Sequence, residues 1–338
     1  MGRQREAVTA TSDPGARPAN KFAAVFASEY LVLGLCVFYF LAFAPFTEGF
    51  ASRGNFSNIL ITLLPLFILA IGQTVVLITA GIDLSMTSTI ALTSVVGGMV
   101  MSGENGWLSN NPTAMPVAII AMLVVGALVG LLNGFAVTVL RMPAFIVTLT
   151  TMMFVGGFAV WLTKSKNIGG LPESFLAIGN QLWLALPLTL TVAIVAHVML
   201  SRSLFGRWLY AVGHNSRTAY VSGVPVTGVT CSAYVVSGVC AALASVLLTA
   251  DAQTASPVLG RNMLLDVIGA TVIGGTSLFG GKGKVLWTFF GVLFLKLIDN
   301  SLNLRNLADW DIRIVKGGVI LVAAMLDALR NRLAVRGS

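Results

Sequence analysis

The fold is decided by residues 59–101, which read ILITLLPLFILAIGQTVVLITAGIDLSMTSTIALTSVVGGMVM. This segment is apolar over a length that suits two membrane crossings, since one crossing needs about 20 apolar residues. A polar interruption, GIDLS at 81–85, separates its two halves. Gly81 permits a sharp break in the chain, and Asp83 with Ser85 suits the free amides that begin a following helix.

Two interpretations of this break stay open. Broken helices at membrane depth are how many transporters build polar sites, so Asp83 is a candidate for the path of a solute. Alternatively, the segment is a tight cytoplasmic turn capped by Asp83, because caps are common and intramembrane charges are rare.

Composition places the whole chain in a membrane. Its 338 residues are 56% hydrophobic and 10% charged, with a mean hydropathy of +0.88, whereas a soluble domain carries about 25% charged residues. At this span length only helices satisfy their own backbone in lipid. The net charge of +8 does not indicate nucleic acid, because the basic residues lie at the ends of apolar segments. The three cysteines fit neither a disulfide framework nor a metal site.

The apolar segments predict an all-α polytopic membrane protein with about ten transmembrane helices. The predicted spans are 30–45, 59–79, 84–101, 116–140, 144–163, 182–200, 228–250, 264–279, 285–302 and 312–328. Most of the 21 lysines and arginines then lie on one side, so the positive-inside rule puts both termini in the cytoplasm. We expect a disordered cytoplasmic tail at 1–27, a transmembrane domain at 28–330 and a cytoplasmic tail at 331–338.

The second half repeats the pattern of the first. Asp266 opens an apolar segment that runs into DVIGATVIGGTSLFGGKGK at 266–284, so two pseudo-repeated halves, each with a broken helix, are expected. A phosphate-binding loop would need Ser or Thr after the lysine, but Gly283 follows Lys282. No ATP site, cofactor, metal site or catalytic set is therefore expected, and the chain is predicted not to be an enzyme.

A polar segment at 201–227, SRSLFGRWLYAVGHNSRTAYVSGVPVT, interrupts the apolar spans and carries three arginines but no acid. The charge bias puts this segment in the cytoplasm. Residues 216–223 read as a short amphipathic helix that Asn215 or Ser216 can cap and that Gly223 with Pro225 ends. Such a helix is either a docking site for another protein or a surface helix lying on anionic lipid.

Polar side chains within the predicted spans are candidates for a solute path, because burying them in lipid is costly. The candidates are Gln73, Asp83, Asn133, Thr148, Lys296, Asp299 and Asn300. Hydrogen bonds between helices are the competing interpretation of the uncharged ones. Lys296 and Asp299 lie three residues apart on one helix face and can pair. They form either a self-contained ion pair or part of the wall of the path.

Several motifs together resemble those of permease subunits of bacterial ATP-binding cassette importers for ribose and related sugars. The similarity extends over about 59–330. The motifs are GIDLS at 81–85, LLNGFAVTVLRMPAFIVTLTT at 131–151, YAVGHNSRTAYVSGV at 210–224, IGATVIGGTSLFGGKGK at 268–284 and NSLNL at 300–304. The resemblance implies a ten-helix subunit of the bacterial inner membrane that works as a dimer with a second permease copy or a paralogue. It also implies separate ATPase subunits, which bind the ATP, and a periplasmic sugar-binding protein.

The same resemblance implies roles for individual residues. The residues that fall on the helix contacting the ATPase are Gly213, Asn215, Arg217, Ala219, Ser222 and Gly223. Gln73, Asp83, Asn133 and Thr148 fall on motif positions near the path. The chain departs from the usual pattern in having Lys296 and Asp299 at positions that are usually neutral, which leaves ribose itself open as the solute. The alternatives are a branched-chain amino acid or nucleoside importer of the same architecture, and a transporter that needs no ATPase.

Overall fold

A computed structural model describes residues 30–109 and 111–336, of which 326–336 are described as backbone alone. Over these residues the chain is helical and contains no β-strand; Ile168 and Ala255 form an isolated antiparallel bridge. A short 3₁₀ helix, Ala44–Phe46, follows the first α-helix. The α-helices are α1 (Leu31–Phe43), α2 (Arg53–Ile78), α3 (Met86–Met101), α4 (Ala114–Thr138), α5 (Ala144–Thr163), α6 (Glu173–Asn180), α7 (Leu182–Arg202), α8 (Leu204–His214), α9 (Ser216–Val221), α10 (Val226–Asp251), α11 (Leu264–Ile273), α12 (Val285–Leu304) and α13 (Asp309–Arg336).

Six of these helices are long and apolar enough to cross a membrane, which confirms a polytopic helical protein: α2, α4, α5, α7, α10 and α12. The shorter apolar helices α1, α3 and α11 occupy three further predicted spans. The span predicted at 264–279 is not one helix to its end, because α11 ends at Ile273 and a glycine-rich loop follows. The count of ten crossings and the position of both termini in the cytoplasm stay predictions.

The predicted tails differ in what the structure describes of them. The N-terminal tail at 1–27 lies outside the described residues. At the other end, α13 continues to Arg336, so the residues from 331 onward begin inside a helix rather than after it.

The centre of the molecule is formed by α2 and α10. The second half of α2, from Leu63 to Ile78, is buried throughout, which is the pattern of a helix surrounded by protein rather than by lipid. The buried positions of α10 are mostly small residues such as Ala233, Gly238 and Ala241, so neighbouring backbones approach it closely.

The glycines that recur every four residues on α4 pack within the chain. A Cβ at Gly130 would overlap the carbonyl oxygen of Tyr234, and a Cβ at Gly126 would overlap that of Gly238. Gly134 lies equally close to Cys231. All three partners are on α10. The glycines of α4 therefore form a close backbone contact with α10.

The two ends of the helix bundle are distinguished by their loops. At one end, here called the loop end, the end of α2 at Ile78 meets α8 and the loop after α11 through Gly213 and Gly281. At the other, here called the bridge end, the Ile168–Ala255 bridge closes the loops. The ring of Tyr30 packs edge-on against Trp287 in the first turn of α12, so the start of α1 lies near the beginning of α12.

Gly130→Ala tests the close contact between α4 and α10. The added methyl group has no space beside Tyr234, so the helices must separate, and we expect the free energy of unfolding to fall by about 1–3 kcal/mol. Gly157→Ala on α5 is the matched control, since nothing lies within 4 Å of its Cβ position. There the better helix former should leave stability unchanged or raise it by up to about 1 kcal/mol. Thermal unfolding of the purified protein in detergent measures both effects. Equal effects of the two substitutions would contradict the close contact between α4 and α10.

Candidate functional site

The chain leaves the helical path between α2 and α3 in a compact turn. The amides of Thr79 and Gly81 both donate to the carbonyl of Val76, at 3.0 and 3.2 Å. Ala80 has a φ of 61°, in the left-handed region, which reverses the chain direction. A Cβ at Gly81 would lie 2.6 Å from the hydroxyl of Tyr234, so a larger residue here would have to displace this buried ring.

Asp83 lies in this break and is 1% exposed. One carboxylate oxygen accepts from the amide and the hydroxyl of Ser85, at 2.9 and 2.7 Å. The other accepts from the hydroxyl of Ser237 on α10, at 2.7 Å. The prediction that Asp83 caps the next helix is wrong in detail, because α3 begins at Met86 and its first amides receive no bond from this side chain. Asp83 instead joins the break to α10.

Two of the other predicted path residues lie against the same break. The Asn133 amide on α4 donates to the Ser85 hydroxyl at 2.7 Å. The Thr148 hydroxyl on α5 lies 2.9 Å from the carbonyl of Ala144 in its own helix and 3.3 Å from that of Ile82. Asp83, Ser85, Asn133, Thr148 and Ser237 are named here the Asp83 cluster. It brings together α4, α5, α10 and the break, and each of its side chains is buried.

Gln73 lies apart from this cluster, within α2. It is fully buried, and neither its amide nitrogen nor its amide oxygen has a hydrogen-bond partner among the described residues. The Asn133 amide oxygen is likewise unpartnered there. A buried amide without partners destabilises a protein by about 1–3 kcal/mol, so such a group needs a reason to persist. The next residue, Thr74, is paired through its hydroxyl with Thr288 of α12 at 2.9 Å.

The second break lies between α11 and α12. Gly275, Gly280 and Gly281 all have positive φ values, between 72° and 87°. The amide of Ser277 donates to the carbonyl of Lys282 at 3.1 Å, which closes the loop. A Cβ at Gly291 of α12 would overlap the carbonyl of Ala270, so α11 and α12 are in close backbone contact. The predicted broken helix of the second half is thus present as a helix followed by a glycine loop.

The two breaks meet at α8. The amide of Gly281 donates to the carbonyl of Ile78 at 2.9 Å, which links the second break to the end of α2. A Cβ at Gly213 of α8 would overlap that same carbonyl oxygen and lie 2.6 Å from the Gly281 nitrogen. The Tyr210 hydroxyl donates to the carbonyl of Gly283 at 2.7 Å, and burial raises the pKa of this phenol. These contacts are named here the glycine seam.

The segment at 201–227 forms two helices rather than one. The helix predicted at 216–223 is present as α9, and the Asn215 side chain caps it by accepting from the amide of Thr218 at 2.9 Å. Gly223 follows with a φ of 82°. The preceding helix α8 was not predicted. The signal was the cap Ser203, which accepts from the amide of Gly206, with apolar residues at helical spacing after it.

The six residues assigned to ATPase contact differ in where they face. Ala219 is 4% exposed and packs inward. Gly213 packs on Ile78, and Asn215 caps α9. Arg217, Ser222 and Gly223 are exposed, as are the neighbouring Tyr220 at 73% and Val221 at 81%. The free surface of α9 therefore combines one arginine with two large apolar side chains.

Lys296 and Asp299 contact each other, with 3.7 Å between the ammonium nitrogen and a carboxylate oxygen. The interpretation as a self-contained pair is wrong, because Lys316 of α13 lies 3.3 Å from Asp299 and 2.8 Å from Asp266 of α11. Two lysines and two aspartates thus join three helices. The sequence could not identify Asp266 and Lys316 as part of this cluster, because they lie on other helices.

Asn300 contacts another helix and not the other predicted path residues. It exchanges two hydrogen bonds of 2.8 Å with the Asn55 side chain in the first turn of α2. The Asn55 amide also donates to the carbonyl of Phe50 at 2.8 Å. Asn300 is therefore occupied in joining α12 to α2, and no described contact connects it to the Asp83 cluster.

Comparison with known proteins identifies the family of this chain. The model of the family described as branched-chain amino acid transport system / permease component matches residues 55–324. The ribose import permease protein RbsC of Bacillus subtilis (strain 168) is 37% identical over 271 residues, covering 78% of this chain and 81% of that protein. Its Escherichia coli (strain K12) counterpart is 35% identical, covering 83% and 88%.

A relative named for a different solute extends the similarity over most of the chain. The L-arabinose transport system permease protein AraH of Escherichia coli (strain K12) is 31% identical over 309 residues, covering 90% of this chain and 92% of that protein. No solved structure matches the chain. Since the family model covers the Asp83 cluster, both breaks and the glycine seam, the chain belongs to the family of branched-chain amino acid transport system permease components.

Proposed function

We propose that this chain is the membrane subunit of an ATP-binding cassette importer that moves a monosaccharide into the cytoplasm. The observation that carries the proposal is the similarity, over most of the chain, to permeases named for ribose and for L-arabinose. As a permease component the chain is a transport subunit of the bacterial inner membrane and not an enzyme. ATP is bound by a partner, and a sugar-binding protein delivers the solute on the outside.

The proposed docking surface for the ATPase is α9 with the end of α8. Its exposed part is formed by Arg217, Tyr220 and Val221. Arginine and tyrosine are enriched where protein interfaces gain most of their binding energy. Ala219 and Gly213 act from the inner side, where they seat these helices on the rest of the protein. In this arrangement the loop end faces the cytoplasm, the chain crosses the membrane ten times, and two permease copies pair.

The glycine seam supports a direct mechanical route from the docking surface to both breaks. Gly213 on α8 packs on the last carbonyl of α2, and Gly281 donates to the same carbonyl. A rigid displacement of α8 therefore has to move the end of α2 and the loop before α12. The end of α2 leads within a few residues to Asp83, so movement at the docking surface reaches the Asp83 cluster without passing through a flexible linker.

The proposed solute path includes Gln73 and the Asp83 cluster. Sugar hydroxyls both donate and accept, so unpartnered amide groups and a buried carboxylate are suitable partners. The amide of Gln73 and the oxygen of Asn133 are the unpartnered side-chain groups at these positions. Lys296 and Asp299 belong to the outer half of the path in this proposal, whereas Asn300 supports the helix packing beside it.

A branched-chain amino acid is the second candidate solute, because the description of the family model names that class. Uptake assays with labelled leucine beside labelled sugars separate the two solutes.

ATP-dependent sugar uptake tests the proposed function. Cells that express the chain with its ATPase and binding protein should accumulate labelled D-ribose or L-arabinose, and accumulation should stop when ATP is depleted.

Arg217→Glu should lower co-purification of the ATPase about tenfold, the effect of losing about 1.4 kcal/mol at an interface. Arg261→Glu, an equally exposed arginine in the loop before α11, is the matched control and should have no effect.

Two outcomes contradict the importer. One is uptake that continues after ATP depletion, which indicates a transporter without an ATPase. The other is a chain that never co-purifies with an ATPase while still folding into the membrane.

Gly213→Ala tests the mechanical route. The methyl group has no room beside the Ile78 carbonyl, so α8 must shift relative to both breaks. We expect the ATPase to remain bound and to hydrolyse ATP, while uptake per ATP hydrolysed falls about tenfold, as for a coupling loss of about 1.4 kcal/mol. Gly228→Ala, with nothing within 4 Å of its Cβ position, should leave this ratio unchanged. Equal ratios for the two variants would show that the glycine seam is not part of the coupling route.

Gln73→Leu tests whether the unpartnered amide serves transport. Removing a buried group without partners should raise the free energy of unfolding by about 1–2 kcal/mol. If the amide binds solute, uptake falls even though the protein is more stable. Thr74→Val is the control, because it removes the bond to Thr288 and should lower stability by about 1 kcal/mol without selective loss of uptake. A more stable Gln73→Leu protein with normal uptake would exclude Gln73 from the path.

A further inference from the structure

A cavity of about 210 Å³ lies between α2, α6, α7, α10 and α12. Its wall includes Ala185 at the start of α7 and Asp251 at the end of α10, so it lies toward the bridge end. Drug-sized ligands occupy sites of about 300–1,000 Å³, so this cavity suits a smaller molecule.

The cavity contains unlike charges that do not pair with each other. Lys296 and Asp251 both line it, but they form no ion pair. Asp251 is an exposed residue at the mouth of the cavity, and among the described residues its carboxylate has neither an ion-pair partner nor a hydrogen-bond donor. An unpartnered carboxylate across a cavity from a lysine leaves room for a molecule that contacts both.

The charge of Lys296 is already balanced outside the cavity. Asp299 lies 3.7 Å from its ammonium group, and Lys316 and Asp266 continue the cluster, so two positive and two negative charges cancel. The ammonium group therefore offers hydrogen-bond donors into the cavity without a free charge to attract a carboxylate.

Backbone and hydroxyl groups of α2 add to the polar wall. Pro65 has no amide hydrogen, so the carbonyl of Ile61, which would accept from it in an uninterrupted helix, is left without that donor. Ile61, Thr62 and Pro65 all line the cavity. One turn of α2 thus supplies a carbonyl that lacks its usual helical donor and a hydroxyl beside the two charged side chains.

We propose that this cavity is a binding site for a neutral polyol of monosaccharide size, in which the Asp251 carboxylate accepts from ligand hydroxyls and Lys296 donates to them. Asp251 has no part in any motif or family role considered above. The proposal rests on the proposed function and deepens it, because it gives the sugar a defined place near the outer side. The cavity offers both acceptors and donors, which a hydroxyl-rich ring uses together, and its Lys296 is too well balanced to recognise the carboxylate of an amino acid.

Protection of an engineered cysteine tests the proposal without any transport step. Thr62→Cys places a thiol on the cavity wall at an exposed position. A Cys231→Ala background removes the partly exposed native thiol, and Cys36 and Cys240 are buried. The purified permease complex is treated with a polar methanethiosulfonate reagent, and the modification rate is measured against D-ribose concentration. We expect D-ribose at millimolar concentration to slow modification, and Asp251→Asn to raise the protecting concentration about tenfold.

Glu48→Gln is the matched control, since it neutralises an exposed carboxylate that does not line the cavity, and protection should persist. Lys296→Met should weaken protection while Asp299 keeps its contact with Lys316. Protection by leucine or by glucosamine but not by D-ribose or L-arabinose overturns the polyol assignment. Equal protection in Asp251→Asn and Glu48→Gln proteins overturns the site. Either result with intact ATP-dependent sugar uptake leaves the proposed function standing, so the two failures are distinguishable.

Discussion

The structure depends on how the backbone is satisfied where two helices break inside an apolar protein. In lipid every amide and carbonyl needs an internal partner, so a break is tolerated only where protein surrounds it. Here one break provides a hydrogen-bond partner for the other: the Gly281 amide in the second break donates to the Ile78 carbonyl at the start of the first. Gly213 of α8 closes over the same carbonyl with no space for a side chain. One carbonyl group thereby fixes the relative positions of α2, α8 and the loop before α12.

The same constraint explains why polar residues concentrate at the first break. Once α2 ends, the backbone no longer continues a helical ladder, and short polar side chains occupy the space around it. Ser85, Ser237 and Asn133 convert that space into a hydrogen-bonded shell around Asp83. A buried carboxylate is tolerable only with such partners. Asp83 is bonded directly to Ser237 of α10 and, through Ser85, indirectly to Asn133 of α4, so this shell joins both helices to the break.

The sequence was most informative where the signal is local and least informative where partners are distant in the chain. The GIDLS break and the Asn215 cap were predicted because each depends on a few neighbouring residues. Helix α8 was missed because a polar segment between spans reads as a loop, although Ser203 was its cap. Ser237, Asp266 and Lys316 could not be assigned, since their partners lie on other helices and periodicity does not say which faces meet. Asn300 was assigned to the path, but its partner Asn55 lies on another helix as well.

Helix α2 connects the proposed outer cavity to the inner cluster. Thr62 and Pro65 line the cavity, Gln73 lies further along the same helix, and Asp83 follows its end. At about 1.5 Å per residue, Gln73 lies about 16 Å beyond Thr62. On the proposed path, a solute leaving the cavity toward the loop end would meet the unpartnered Gln73 amide before it reached Asp83. The glycine seam holds the end of this same helix. In the proposed mechanism, the helix that lines the path is therefore also the helix that a movement of α8 would shift.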